Sequence, residues 1–475
     1  MVMGLEHELI NLVRGGAHVR THSGQVRPGD IFVALPGSRV HGGQFCDDAV
    51  ARGARAVVYG RDVLPAQHSG VLYVQHSRPG QVLGVLARIA EGTEHVLPRI
   101  IGVTGTNGKT TVAYLVDHLL RAHGRQTGLI GTISATWNGH STPSAMTTPD
   151  CLTLHGLLGQ MQRDQVSDVV MEISSHALDQ ERIAGMPVAV GIITNLTQDH
   201  LDYHQNMDAY FAAKARLFLD PESHCVQGTV NVDDSYGREL LARRSDLLSY
   251  GLDNDADLQG TIVEAGPWGM CLRMTWHKQS WDLRTALVGR HNAANLLAAQ
   301  GAGLLLGLTP EQMSALATAL GAPGRLERVP NTQGLTIFVD YAHTPDALEK
   351  VLTALKDMGF ARLITVFGCG GDRDVTKRPR MGQAVARFSD VAVLTSDNPR
   401  TEDPEAILDQ VEPGLRGTPI VYREVDRRKA IALAISCLRP GDALLIAGKG
   451  HEDYQIIGTE KVHFSDVDVA RELVA

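Results

Sequence analysis

One figure recurs along most of this chain: a short apolar run, then a polar or glycine-rich loop, then a helical pattern. Arg99-Ile-Ile-Gly-Val103, Asp168-Val-Val-Met-Glu172, Val188 to Asn195, Thr336-Ile-Phe-Val-Asp340, Leu363-Ile-Thr-Val-Phe367, Val391-Ala-Val-Leu-Thr395 and Ala443-Leu-Leu-Ile-Ala447 are such runs. Each is short for a helix and lacks the alternation of a strand with one wet face, so each predicts a strand covered on both sides. Strands of that kind lie parallel and are joined by helical crossovers. The fold class is therefore α/β, built on largely parallel sheets. In such sheets ligands bind beyond the carboxyl ends of the strands, where the unusual polar clusters of this chain stand.

Three blocks follow. Residues 1–97 read as a small α/β domain, with strands around Gly29 to Leu35 and Ala54 to Gly60 and helices over Phe45 to Gly53 and Gln81 to Glu91. Residues 98–326 form a central parallel-sheet domain in which the segment 225–290, richer in alternation and tight turns such as Gly266-Pro-Trp-Gly269, is expected as an antiparallel extension. Residues 327–475 form a third domain of the same strand–loop–helix figure.

Bulk properties exclude several classes. A formal net charge of −9 disfavours nonspecific adhesion to nucleic acid or to a membrane surface. Six scattered cysteines without a CxxC pair argue against a disulfide framework and for a reducing, cytoplasmic setting. Met1 to Arg14 carries Glu6, His7 and Glu8 where a signal peptide needs an apolar centre. The longest apolar candidate, Leu287 to Leu308, is broken by Arg290, His291, Asn292, Asn295 and Gln300, so no membrane insertion is expected.

Gly102-Val-Thr-Gly-Thr-Asn-Gly-Lys-Thr-Thr111 carries the sharpest chemical signal. It joins a strand to the helical run Val112 to His123, where glycines admit phosphate to backbone N–H groups and the helix start adds partial positive charge. Thr104, Gly105, Thr106, Asn107, Gly108, Lys109, Thr110 and Thr111 are the expected mononucleotide contacts. Lys109 can reach the β- and γ-phosphates, and the Thr110 hydroxyl can ligate Mg²⁺. The spacing departs from the strict G-x-x-x-x-G-K-[ST] pattern, with Val103 where glycine belongs and the glycine at 102. Two further strand ends converge here: Glu172, placed for a metal-coordinating carboxylate, and Asn195 to His200.

With these residues in order stand Thr147-Thr-Pro149, Glu172-Ile-Ser-Ser-His176, Asp199-His-Leu-Asp202, Ala213-Lys214, Asp340-Tyr-Ala-His-Thr-Pro345, Gly368-Cys-Gly-Gly-Asp-Arg-Asp374, Asp397-Asn-Pro-Arg400 and Gly448-Lys-Gly-His-Glu-Asp-Tyr454. This ordered set resembles the Mur ligases across nearly the whole chain. The resemblance implies three domains: N-terminal for a UDP-linked precursor, central and P-loop ATPase-like, and C-terminal and Rossmann-like. It implies an ATP- and Mg²⁺-dependent ligase of peptidoglycan precursor synthesis that makes an amide through an acyl phosphate, and a monomer. Asn295, Asp340 and His343 join the ATP contacts. Lys109, Glu172, His200 and a Lys214 carbamylated by CO₂ become the catalytic set, with Thr110, Glu172, His200 and the Lys214 carbamate holding metal. Ser23, Ser38, Arg39, Val40, Thr147, Thr148, Ser174, Gln180 and Arg182 are implied for the UDP-precursor. The chain departs from the family pattern at His22 and His41, where aspartate is usual, and at Gly24, where arginine is.

Asp397-Asn-Pro-Arg400 bears on which amino acid is added. Arg400 can grip a carboxylate through two parallel hydrogen bonds, and meso-diaminopimelate has a carboxylate at its distal end where lysine and ornithine have none. The resemblance adds Arg373, Pro399, Gly448 and Glu452 to this site. The expected substrates are thus meso-2,6-diaminopimelate and UDP-N-acetylmuramoyl-L-alanyl-D-glutamate. The alternatives are the same ligation with L-lysine or L-ornithine, another ligase of the Mur or folylpolyglutamate type, and a P-loop regulatory switch.

Overall fold

The apolar runs fold as strands, and the helical patterns between them as helices. In the computed structural model, which describes residues 2–37, 40–221 and 225–475, the chain forms two compact units. The first comprises Met1–Gly260, Met274–Trp281 and Ala294–Leu316; the second comprises Thr261–Arg273, Asp282–Ala293 and Ala317–Ala475.

In the first unit the N-terminal segment makes a four-stranded sheet, Val19–Arg20, Ile31–Val33, Ala56–Tyr59 and Leu72–Gln75, parallel throughout. Leu9, Ile31, Val33, Val58 and Leu83 pack on one face, and Phe32, Ala49 and Val57 on the other. Helix Pro79–Ala90 closes against the loop at Ala184, where a Cβ on Gly84 would stand 2.3 Å from the Ala184 carbonyl oxygen. Arg78, just ahead of that helix, pairs with Glu181 and, at 2.8 Å, with Asp220.

The central sheet places Arg99–Thr104 between Asp168–Glu172 and Val188–Ile193, all parallel. The chain leaves Arg99–Thr104 toward one side, to Thr127–Ile130, then fills the gap with Asp168–Glu172 before crossing to Val188–Ile193. This reversal leaves an opening at the carboxyl ends of three neighbouring strands, beside Gly105, Ile173 and Thr194. A hairpin, Ser134–Trp137 and His140–Pro143, adds antiparallel strands at one edge.

In the segment 225–290 the first strands differ from the expected antiparallel extension. Gln227–Asn231, Leu248–Gly251 and Leu258–Gly266 pair parallel in succession, continuing from Val188–Ile193. The helix Ser235–Arg243 supplies the crossover that returns the chain for Leu248–Gly251. Its apolar content is modest, which is why the segment reads as strand-rich from sequence.

The second unit carries a six-stranded sheet in the order Glu327–Arg328, Thr336–Asp340, Ala443–Ala447, Leu363–Phe367, Val391–Leu394, Ile420–Arg423. All neighbours are parallel except the first pair. Helices cover both faces, with Phe338, Leu352, Phe367 and Leu445 in one core and Ile337, Val366, Ile431 and Ile446 in the other. The loops after Phe367, Leu394 and Ala447 leave the same edge of adjacent strands.

Candidate active site

The nucleotide loop is shaped by two residues that cannot carry a side chain. Gly105 has φ +140° and a Cβ there would lie 1.9 Å from Thr194 Oγ1; Gly108 has φ +86° and its Cβ would meet Asn295 Oδ1 at 2.4 Å. Asn195 Oδ1 accepts from the Asn107 N–H at 3.0 Å, and the Thr106 hydroxyl accepts from the Thr197 N–H at 3.0 Å, so the loop is braced by the neighbouring strand end. Helix Lys109–Ala122 begins at Gly108 with no side-chain cap. Its first-turn N–H groups have no acceptor within the helix and are the donors a phosphate needs. Lys109 Nζ folds back over the loop, 2.9 Å from the carbonyl oxygens of Gly105 and Thr106. Gly105→Ala is expected to lower nucleotide affinity at least tenfold, because φ +140° is closed to alanine and the methyl overlaps Thr194. Calorimetric titration with ATP reads this directly.

Glu172 is buried to 2% exposure at the end of its strand and accepts from Thr110 Oγ1 at 3.0 Å. It also accepts from the Thr132 N–H at 2.8 Å and the Thr132 hydroxyl at 3.1 Å. A buried carboxylate needs such donors. Lys214, on helix Met207–Leu219, is 1% exposed, with Nζ 2.9 Å from the Gly105 carbonyl oxygen and 4.7 Å from the Tyr210 ring centroid. Burial, and then the Lys109 cation, drive its pKa well below the ordinary lysine value, which favours the neutral amine.

His200 sits in the left-handed region at φ 52°, its ring 4.9 Å from that of His176. Burial lowers the pKa of His200, and burial with His200 and His204 nearby lowers that of His176 to about 4. Both imidazoles are held neutral. Lys109 and Lys214 each act electrostatically on His200, so the three share one neighbourhood. Among the described residues, no group of three or more His, Cys, Asp or Glu side chains is gathered for a metal. Of the expected metal set, Thr110 and Glu172 are hydrogen-bonded to each other, and Lys214 acts electrostatically on His200. The hydroxyl and the carboxylate are oxygen ligands of the kind a hard cation takes.

Next to Glu172 lies a second network. Thr148 Oγ1 donates to the Glu172 carbonyl oxygen at 3.0 Å and accepts from the Ser174 N–H at 3.0 Å. Thr147 Oγ1 meets Thr132 Oγ1 at 3.1 Å. Arg182 donates to Gln180 Oε1 at 3.0 and 2.7 Å and to the Thr148 carbonyl oxygen at 3.0 Å, and Gln180 reaches Tyr203 at 3.1 Å. Five residues expected at the UDP-precursor are thus one connected patch. Ser23 is apart from it, buried in the N-terminal segment where its hydroxyl, then Arg52, holds the Asp48 carboxyl below its ordinary value. Val40 is exposed; Ser38 and Arg39 lie outside the described residues. At two of the three departures from pattern, imidazole nitrogens cap short helical turns: His22 Nδ1 accepts from the Gly24 N–H at 3.1 Å, and His41 Nδ1 from the Gly43 N–H at 3.0 Å. An aspartate oxygen would fill the same cap.

In the second unit, Asp397, Asn398, Arg400, Gly448 and Glu452 converge. Asn398 Nδ2 donates to Glu452 Oε2 at 3.1 Å, and a Cβ on Gly448 (φ +118°) would stand 2.8 Å from Asp397 Oδ2. The backbone of Arg400 is tied to the hairpin Tyr454–Ile457 and Glu460–His463, its N–H donating to the Ile456 carbonyl at 3.0 Å and its carbonyl accepting from Gly458 at 2.8 Å. Its Nη1 donates to the Gly371 carbonyl oxygen at 2.7 Å. Pro399 packs on the glycine loop, its carbonyl oxygen 1.9 Å from where a Gly371 Cβ would stand. Arg373 is exposed on that loop. Asp340 accepts from the Leu326 and Ala342 N–H groups at 2.7 and 2.8 Å, and His343 is exposed, its Nδ1 2.8 Å from the Tyr341 carbonyl oxygen.

Three residues escaped the sequence reading. Thr132 completes the Glu172 cluster and had only its position after the strand Thr127–Ile130 as a signal. Arg378, fully buried, grips Glu402 with two hydrogen bonds of 2.8 Å and so fixes the loop bearing Arg373. Lys449, fully buried, reaches Asp397, Asn398 and Glu452.

A phosphate loop with a buried carboxylate beside it on one α/β sheet, and a polar cluster of Asp397, Asn398, Lys449 and Glu452 on another, are the parts of an ATP-dependent ligase that joins an acid to an amino acid. The comparisons agree. Residues 17–90 match the model of the Mur ligase family catalytic domain, 103–303 the Mur ligase middle domain, and 324–450 the Mur ligase glutamate ligase domain. The chain is 51% identical over 457 residues, 95% of either chain, to the UDP-N-acetylmuramoyl-L-alanyl-D-glutamate–2,6-diaminopimelate ligase of Lawsonia intracellularis. It is 43% identical to the protein of the same name from Synechococcus elongatus, covering 100% of this chain and 96% of that one. A solved structure of a ligase so named superposes with a TM-score of 0.70 at 32% identity, over 96% of this chain and 94% of the other. The chain belongs to the Mur ligase family, with the family's three-domain architecture.

Proposed function

We propose that this enzyme adds meso-2,6-diaminopimelate to UDP-N-acetylmuramoyl-L-alanyl-D-glutamate, consuming ATP, as a cytoplasmic monomer. The observation that carries the choice of amino acid is Arg400, which with Asp397 and Glu452 acts electrostatically on the one side chain of Tyr454. A guanidinium and carboxylates around one site suit a distal end that is itself both ammonium and carboxylate. The six free cysteines support the reducing compartment. The domain roles follow the blocks 1–97 for the UDP-precursor, 98–326 for ATP and 327–475 for the amino acid.

The residues divide the work by charge. Backbone donors of residues 104–111 and Lys109 hold the triphosphate and draw negative charge from the γ-phosphoryl group as a carboxylate oxygen of the precursor attacks it. ADP departs and an acyl phosphate remains, a far better leaving group than hydroxide. Thr147, Thr148, Ser174, Gln180 and Arg182 orient the precursor beside Glu172. Asp397, Asn398, Arg400, Gly448 and Glu452 hold the distal end of the amino acid and Arg373 a substrate carboxylate, which leaves its other amine free to act as the nucleophile. Attack gives a tetrahedral oxyanion, and phosphate leaves as the amide forms and the nitrogen loses its proton. The Lys214 amine, kept neutral, bonds to CO₂ with loss of a proton, giving a carbamate. Thr110, Glu172, His200 and that carbamate would hold Mg²⁺, which when bound offsets phosphoryl charge.

Phosphate release from ATP with the UDP-dipeptide, run in parallel with meso-diaminopimelate, L-lysine and L-ornithine, tests this. Turnover with diaminopimelate alone is expected. Preference for lysine or ornithine would overturn the reading of Arg400, and turnover with none would overturn the substrate assignment.

A further inference from the structure

We infer that Lys449 is a specificity-determining residue of the amino-acid site, an internal cation that sets the charge of the distal subsite; this rests on the amino-acid site proposed above. Lys449 lies between Gly448 (φ +118°) and Gly450 (φ +53°), and its side chain is fully buried. Its Nζ is 3.1 Å from Asn398 Oδ1 and 3.4 Å from both Asp397 Oδ1 and Glu452 Oε2. A lysine with no solvent contact requires paired acceptors, and these three are residues of the substrate site itself.

Two consequences follow. The first is orientation. Asn398 Oδ1 accepts from Lys449 and, at 2.9 Å, from the Ile456 N–H, which commits the amide nitrogen to Glu452. Lys449 thereby fixes which way both side chains face.

The second is charge. Asp397 and Glu452 contribute two negative charges and Lys449 one positive. Two further buried cations of this unit are matched elsewhere, Arg427 by Asp466 at 2.6 Å and Arg378 by Glu402 at 2.8 Å. The cluster is left with one negative charge for one substrate ammonium, and Arg400 supplies one positive charge for one carboxylate. A zwitterionic distal end balances this subsite. Without Lys449 the subsite would carry an extra negative charge, which repels a carboxylate and attracts a bare ammonium, shifting preference toward L-lysine or L-ornithine.

The test is the ratio of kcat/KM for meso-diaminopimelate to that for L-lysine in wild type, Lys449→Met, Lys449→Arg and the double variant Asp397→Asn/Lys449→Met. Lys449→Met is expected to lower the ratio at least tenfold, mainly through a higher KM for diaminopimelate, with ATP affinity unchanged. Lys449→Arg retains the charge and the preference. The double variant removes one charge of each sign and is expected to recover much of the ratio; it also carries the test if the single methionine variant does not fold. A ratio unmoved in Lys449→Met, or a double variant no closer to wild type than a buried-site lesion would leave it, overturns the inference. If wild type itself does not use diaminopimelate, the reading of the whole site fails instead, which is a distinct result.

Discussion

Lys214→Met is expected to reduce ligation about 10³-fold while making the folded protein more stable at neutral pH. The two effects have one cause. Lys214 is 1% exposed, and burial together with the Lys109 cation drives its pKa well below 10.5. An unfolded chain binds that proton more tightly than the native one, so stability rises with pH between the native and unfolded values and is lowest below the native one. Methionine fills a similar volume without the ionisable group, so the variant loses that pH dependence. A higher Tm at neutral pH is expected in CO₂-free buffer, the gain shrinking as the pH approaches the unfolded pKa. Activity moves the other way, because the position that would carry the carbamate oxygens is gone. Loss of one charge-stabilising group in a preorganised site is worth about 10²–10³ in rate. Wild-type turnover is expected to depend on bicarbonate, with a mass increment of one CO₂ on the peptide bearing Lys214. Full turnover in Lys214→Met would remove the residue from the reaction; bicarbonate-independent turnover in wild type would remove the carbamate.

Legibility from sequence tracked how local each feature is. The nucleotide loop could be read because strand, glycines, lysine and helix are consecutive and each is required by the backbone path around a phosphate. Glu172 and Asn195 in one sheet and Asp397 in the other follow strand ends, because parallel strands bring their carboxyl ends to one edge of their own sheet. The pairing of Lys449 could not be read: Asp397 and Lys449 are far apart in sequence, and a lone lysine between glycines looks the same whether solvated or buried. Arg378 with Glu402 was hidden for the same reason. The caps at His22 and His41 were hidden differently. They stood out as departures from pattern, yet an imidazole nitrogen and a carboxylate oxygen accept the same N–H, so the change in residue type leaves the turn intact. The strands from Gln227 to Leu258 were misjudged because the direction of a strand depends on the crossover before it, and the helix Ser235–Arg243 is short and largely polar.

Arg400→Lys is expected to lower kcat/KM for meso-diaminopimelate about 10²-fold and to leave ATP affinity unchanged. Arg400 holds φ 52°, a conformation that costs a non-glycine residue about 1 kcal/mol, and hydrogen bonds to Ile456 and Gly458 on either side of its peptide units offset that strain. The guanidinium is then aimed by Nη1, which donates to the Gly371 carbonyl oxygen at 2.7 Å, leaving the rest of the planar fork for a carboxylate. A lysine ammonium at this position is drawn to the same carbonyl and offers no second parallel donor. Two charge-assisted hydrogen bonds at about 1.5 kcal/mol each amount to about 3 kcal/mol, which is the factor of ~10². The loss should appear in KM for the amino acid, because the distal grip forms in the ground state as well as during attack. Calorimetric titration with ATP should be superimposable on wild type, since Lys109 and the glycine loop are untouched. A variant that ligates diaminopimelate with unchanged KM would show that the carboxylate is gripped elsewhere. Arg373, exposed on the neighbouring loop, would then be the residue to substitute next.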